Sequence, residues 1–344
     1  MGRRRSQAVT LADVARRAGV SVATASKAIN ARDQVAAATR ERVLRAAAEL
    51  SFSPGGRTPA IGLLTDERGG RFAMPILLGA ETAIERLAGE RMSVLLCDAR
   101  GAAGRQRDHL SVLARQVEGF LVIGYDNDLR PSLPRDLPVP VVYAYTESDH
   151  DADTSIVADD EGGARLATEH LIAVGRRRIA HLTGPAAYRA ARARANGMLA
   201  VLGGHGLRPA GGSPRYGEWS QRWGRDAAHE LLAAAPDTDA VFCGNDQIAA
   251  GVAQTLRERG RRIPDDVALV GYDNWTEFAA DCRPPLTTVD LNLERLGATA
   301  VRHLVAALGG RPSPGVHREP CELVVRESTA GTPAAPRMSP PSGG

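Results

Sequence analysis

TLADVARRAGVSVATASKAIN, residues 10–30, carries two short helical patterns with a break between them. In the first, Leu11, Val14, Ala15 and Ala18 recur at i, i+3, i+4 and i+7 and make one apolar face, with Thr10 placed to cap it. Gly19 supplies a tight turn, Val20 plugs a small core, and Ser21 can cap the second pattern. That second helix buries Ala25, Ala28 and Ile29 and leaves Val22, Ala23, Ser26 and Lys27 outward. Downstream, TRERVLRAAAEL (39–50) reads as a third helix, with Thr39 as its cap and Val43, Leu44, Ala47 and Leu50 inward.

Three short helices around a small core, two of them joined by a tight turn, make a helix-turn-helix. Its second helix enters the major groove of double-stranded DNA. There Val22 and Ala23 suit thymine methyls, and Lys27 suits guanine O6 or N7. Ser21, Thr24, Ser26, Asn30 and Thr39 suit phosphate oxygens, which position the module without reading sequence, and Thr10 is grouped with them. The alternative is a three-helix interaction domain of another kind.

Charge supports the first reading. Residues 1–57 hold eleven Lys/Arg against four Asp/Glu, whereas the remainder holds 32 against 36. A basic head on a mildly acidic body suits a polyanionic partner. Lys27 is the one lysine of the chain. At 344 residues and 43% apolar content the chain suffices for two or three domains. No stretch approaches a membrane span, and the N-terminus lacks the apolar core of a secretory signal, so a cytoplasmic location is expected. Cys97, Cys243, Cys282 and Cys321 are scattered without C-x-x-C spacing and read as reduced thiols, with no metal expected.

From Ile61 the chain alternates apolar runs with amphipathic helical runs. IGLLT, MSVLLCD, GFLVIG, VPVVYAY, RIAHLTG, AVFCGN and VALVGYD read as strands. PILLGAETAIERLAGE, DDEGGARLATEHLIAVG, GRDAAHELLAA and DQIAAGVAQTLRERG read as helices. This βα repetition argues for parallel, doubly wound sheets, and its length argues for two lobes with a ligand cleft between them. Eight dispersed histidines and the absence of G-x-S-x-G, Walker-type and G-x-G-x-x-G motifs argue against an enzyme or a bound cofactor.

The run from Thr10 to Leu50 resembles the head of the lactose-repressor (LacI/GalR) family, with pattern T-[LI]-x-D-V-A-x-x-A-G-V-S-x-x-T-V-S-R-x-L-N. The departures are Ala25, Lys27, Ile29, and Ala36 in place of a serine that caps the third helix. VEGFLVIG, HLIAVGRRRIAHLTGP, DAVFCGNDQIAAGV, IPDDVALVGYDN and RPPLTTVDLNLERLG are similar to the family's later blocks. The resemblance implies a small all-α helix-turn-helix head on an α/β periplasmic-binding-protein-like core of two doubly wound parallel-sheet lobes. It divides the chain into a head (1–53), a linker (54–60) and a core (61–330), and the Pro/Gly/Ser/Ala-rich tail (331–344) is expected to be disordered. Lobe one spans about 61–158 and 289–316, and lobe two about 159–288 and 317–330. It also implies a homodimer, an operator, and a sugar or related small effector in the cleft, so that the chain is expected to be a regulator, most simply a repressor. The alternative is a cytosolic sensor that has lost operator binding.

A polyhydroxylated ligand needs planar donors and acceptors beside an apolar surface. Arg194 matches the family's cleft arginine, Phe72 the aromatic of its N-P-F motif, and Trp219 an aromatic lining position. Asn245 and Asp273 lie at strand ends on the same edge, and Tyr145 takes a lining place that is often polar. Asp246 is read as the cap of the following helix. Each has a plainer alternative: Arg194 on a helix surface, Asn245 as a cap, Phe72 and Trp219 in the core. The motif N-P-F reads Gly70-Arg71-Phe72 here, and Leu291 and Leu293 replace polar or aromatic positions. In the linker, Pro54 is followed by Gly55-Gly56-Arg57-Thr58-Pro59, so the P-N-x-x-A-x-x-L hinge helix of the family is expected to be missing.

Overall fold

The computed structural model describes residues 9–29, 35–50, 59–65, 70–88, 92–98 and 110–330. Asn30, linker residues 54–58 and the tail 331–344 lie outside them.

The head is three helices, α1 (Leu11–Ala18), α2 (Val22–Ile29) and α3 (Ala37–Leu50). Thr10 caps α1 in a reciprocal box: its Oγ1 accepts from Asp13 N, and the Asp13 carboxylate accepts from Thr10 N at 2.9 Å. Gly19 ends the helix in the left-handed region at φ 66, which a residue with a Cβ adopts only with strain. Ser21 Oγ accepts from Thr24 N at 3.1 Å and opens α2. Val14, Ala25, Ala28, Val43 and Ala46 are buried between the three helices. Two expectations change. Thr39 is the third residue of α3 rather than its cap, because the helix begins one turn earlier, where the Ala36 carbonyl accepts from Thr39 N and Arg40 N. Leu44 is exposed, since the buried stripe runs Val43, Ala46 and Ala47 with Leu50 partly buried beside it, which leaves Leu44 turned away from the core.

The body holds two six-stranded sheets. The first has the order β13-β7-β5-β3-β1-β2, from β1 (Ala60–Thr65), β2 (Ser93–Asp98), β3 (Gly119–Ile123), β5 (Val141–Ala144), β7 (Thr154–Ala158) and β13 (Gly315–Glu319), all parallel. The second has the order β14-β12-β11-β10-β8-β9, from β8 (Ile179–Thr183), β9 (Arg215–Tyr216), β10 (Ala240–Cys243), β11 (Ala268–Tyr272), β12 (Thr287–Asp290) and an antiparallel edge, β14 (Glu322–Val324). A short pair, β4 (Leu129–Arg130) and β6 (Glu147–Ser148), stands apart from both.

The chain passes between sheets three times: after β7, after β12 and between β13 and β14. The third passage falls later than the resemblance placed it, because His317, Arg318 and Glu319 pair with Ile156, Val157 and Ala158 of the first sheet. The strands TSIVA and TTVD, β7 and β12, carry buried threonines and a serine instead of an apolar run, which hid them in the sequence.

Helices cover the sheets in pairs: α4 (Ala73–Ala88) with α10 (Leu293–Leu308), α5 (Asp160–Ala173) with α6 (Arg189–Gly204), and α7 (Gln221–Ala234) with α8 (Asp246–Glu258). Between α8 and α10 lies the short α9 (Thr276–Ala279). The first pair meets backbone to backbone. A Cβ on Gly79 would stand 1.9 Å from the Glu294 carbonyl oxygen, and one on Gly297 2.0 Å from that of Ile76.

Candidate functional site

In the head, Val22, Ala23 and Lys27 form the exposed face of α2, as a groove-reading helix requires. The hydroxyls of Ser21 and Thr24 lie 2.8 Å apart, and Thr10 Oγ1 donates to Asp13 Oδ2 at 2.6 Å. These hydroxyls therefore make hydrogen bonds at the starts of α1 and α2.

In the body, strand order reverses beside β1 in the first sheet and beside β8 in the second, the places where open α/β sheets leave a crevice at their carboxyl ends. A cavity of about 480 Å³ lies there, between the lobes. All six residues anticipated for a ligand line it: Phe72 and Tyr145 from the first lobe, Arg194, Trp219, Asn245 and Asp273 from the second. Leu291 is not among its walls and is fully buried in the core.

The two lobes present their strand ends alike. Tyr145 follows β5 with φ 61 and donates its N–H to the Ile156 carbonyl at 2.9 Å. Asp273 follows β11 with φ 95 and donates its N–H to that of Val289 at 2.8 Å. Left-handed backbone costs a residue with a Cβ about 1–3 kcal/mol, and here the next strand's ladder holds it so that the side chain faces the cleft. The Tyr145 ring stacks on Phe72 at 4.9 Å, and burial pushes its phenol well up, so it is a neutral hydroxyl.

Arg194 lies on a helix, yet it is buried rather than on the surface. Its Nε donates to Asp160 Oδ1 at 2.7 Å, Nη1 stands 3.5 Å from Asp273 Oδ1, and the guanidinium lies 3.8 Å from the Tyr272 ring centroid. Burial opposes its charge, but Asp160 and Asp273 outweigh burial and raise its affinity for the proton. Asn245 is both a cap and a wall. Its Oδ1 accepts from Ile248 N at 2.8 Å, which turns Nδ2 away from the helix, and Nδ2 is buried without a partner. Asp273 Oδ1 likewise has no hydrogen-bond donor. Asp246 does not cap the helix it begins. Its Oδ2 accepts from Trp275 N at 2.7 Å and its Oδ1 from Thr288 at 2.6 Å, which ties α8 to β12 and the segment after β11. Burial and the nearby Asp273 push its carboxyl up to about 8.

Sequence reasoning missed Tyr125, Asn127, Tyr188, Gln247 and Trp275, which also line the cavity. They sit two to five residues past strand ends, so position in a βα repeat was the available signal. Arg71 was visible only as a departure from N-P-F. It donates from Nη2 to Asp273 Oδ2 at 2.6 Å across the cleft.

Comparison with known proteins agrees with this architecture. Residues 10–55 match the family described as bacterial regulatory proteins, lacI family, and residues 168–329 match the periplasmic binding protein-like domain. The chain is 34% identical over 334 residues to the HTH-type transcriptional regulator CelR of Thermobifida fusca, covering 93% of this chain and 98% of that one. Among solved structures it is similar to a complex of the transcriptional regulator CelR with cellobiose (TM-score 0.60, 34% identity, 93% of this chain and 99% of that one). It is also similar to the lac repressor dimer bound to operator and the anti-inducer ONPF (TM-score 0.64, 31% identity, 94% and 99%).

Proposed function

The chain belongs to the lacI family of bacterial regulatory proteins, and from that premise we propose that it is a dimeric, cytoplasmic repressor released from or driven onto its operator by a sugar bound between the lobes. The observation that carries the ligand reading is a pair of buried polar atoms without a hydrogen bond on two residues that line one cavity, the donor Asn245 Nδ2 and the acceptor Asp273 Oδ1, the latter ion-paired with Arg194 Nη1 at 3.5 Å. Sugar hydroxyls suit both, since a hydroxyl accepts from an amide and donates to a carboxylate. Arg194 sets the charge of that floor, and Tyr188 and Trp219, edge to face at 6.1 Å, give an apolar wall for the carbon face of a ring. The cellobiose complex of a relative supports the same ligand class.

Lys27 reads a base edge, with Val22 and Ala23 beside it. The second copy is placed against the first lobe, where Met74 and Leu78 of α4 and Leu96 of the edge strand β2 are exposed apolar side chains. No helix among the described residues is long and apolar enough to cross a membrane. Fluorescence anisotropy with DNA fragments from upstream of the gene, titrated with sugars at fixed salt, tests the whole reading. Sequence-selective binding that one sugar shifts supports it. Binding equal on all fragments, or indifferent to every sugar that the core binds, would falsify it.

A further inference from the structure

Two cavities meet at one wall. Beyond the cleft just described lies a second, of about 590 Å³, which Pro75, Thr276, Asn292 and Glu294 help to line. Four residues line both: Arg71, Phe72, Asp273 and Trp275. Within that wall the Arg71 guanidinium stands 4.2 Å from the ring centroid of Phe72 and 4.2 Å from that of Trp275, and its edge is closed by Asp273. Phe72 is covered on its remaining side by Tyr145. A planar cation between two aromatic faces thus fills a slot of the size and chemistry that a ligand ring would take.

Arg71 differs from Arg194 in what its removal would leave behind. Its side chain is 26% exposed, and Asp273 keeps Arg194 at 3.5 Å when Arg71 is gone. The partition is therefore separable from the buried ion pair beneath it. Thr276, Glu277 and Glu294 line the far chamber with oxygens, a lining that suits hydroxyl groups. In the near chamber the Tyr188–Trp219 corner remains open to one ring.

Resting on the reading of the cleft as a sugar site, we propose that Arg71 selects ligand size: with it in place the core takes a one-ring sugar, and without it the two chambers join into a site for a two-ring sugar. Isothermal titration of the full chain with hexoses and with disaccharides built from them tests this. Wild type binds one monosaccharide about tenfold or more tighter than the disaccharides containing it. Arg71→Ala raises disaccharide affinity about tenfold, and Thr276→Trp added to that variant removes the gain while the monosaccharide still binds. Arg71→Met, which keeps the stem and loses the planar head, serves if Arg71→Ala melts early. A wild type that prefers disaccharides, or variants with an unchanged preference, overturns the partition alone. Failure of every sugar to bind wild type removes the sugar reading and the partition with it.

Discussion

Asp128 Oδ1 in the first lobe accepts the main-chain N–H of Arg189, the first residue of α6 in the second lobe, at 2.8 Å. Tyr188, at the N-cap position of that helix, makes no side-chain cap. A 16-residue helix is thus capped from across the cleft. Glu147 Oε2 adds a second carboxylate, accepting from Arg189 Nη2 at 2.8 Å. A cap contributes about 1 kcal/mol and an anion at a helix start about 0.3–1 kcal/mol, and here both depend on the two lobes keeping this approach. Removing Asp128 and Glu147 together (Asp128→Ala, Glu147→Gln) should shift the ligand-free core toward open forms. Small-angle scattering would show a larger radius of gyration that ligand restores; equal radii in variant and wild type would rule this out.

Asn245 allows its two roles to be separated. Asn245→Ser keeps a capping oxygen and removes the free amide donor, so the melting transition should stay within about 1 kcal/mol of wild type. Sugar affinity should fall about tenfold, the loss of one hydrogen bond in a buried site. Calorimetry of both quantities decides it, and an unchanged affinity would remove Asn245 from the ligand set.

Arg194→Ala leaves Asp160 buried without its cation and Asp273 with Arg71 alone, and a broken buried pair costs about 3–5 kcal/mol. The core should melt far earlier and lose all sugar response, which chemical denaturation and titration would show. A mild change in stability would mean that water reaches this pair.

The pH dependence of stability should carry two opposed contributions. Asp246 holds its proton up to about 8 when folded, against 3.8 in an open chain. Its stabilising share is complete below about 3.8 and fades as pH rises toward 8. His181, stacked on Phe242 at 4.5 Å, is depressed by burial to about 4 from 6.5. Its share is complete above 6.5 and fades as pH falls toward 4. The two slopes cancel between about pH 4 and 6.5, so wild type should decline between about pH 6.5 and 8, whereas Asp246→Asn should lose that decline and gain stability as pH rises from about 4 to 6.5. An identical slope in both would place the titration elsewhere.

Lys27→Ala should cost about 1–3 kcal/mol at one base position of each half-site and little elsewhere. Equal losses on every sequence, measured by anisotropy, would make Lys27 a phosphate contact.

The sequence by itself determined the three-helix head, the βα alternation and two of the cleft positions, because each is written in local spacing: apolar residues at i, i+3, i+4 for α1, and side chains just past strand ends for Asn245 and Asp273, whereas Phe72, Tyr145, Arg194 and Trp219 were placed by the family resemblance. It misplaced the start of α3, where Ala36 gives no side-chain signal, and passed over β7 and β12, whose buried threonines look like loop. Tertiary structure alone decided what meets across the cleft. Arg71 and Asp273 are 202 residues apart, and no local pattern pairs them. The same holds for the cap that Asp128 lends to α6. Such contacts depend on how two lobes close, and closure is set by packing and charge between elements distant in the chain.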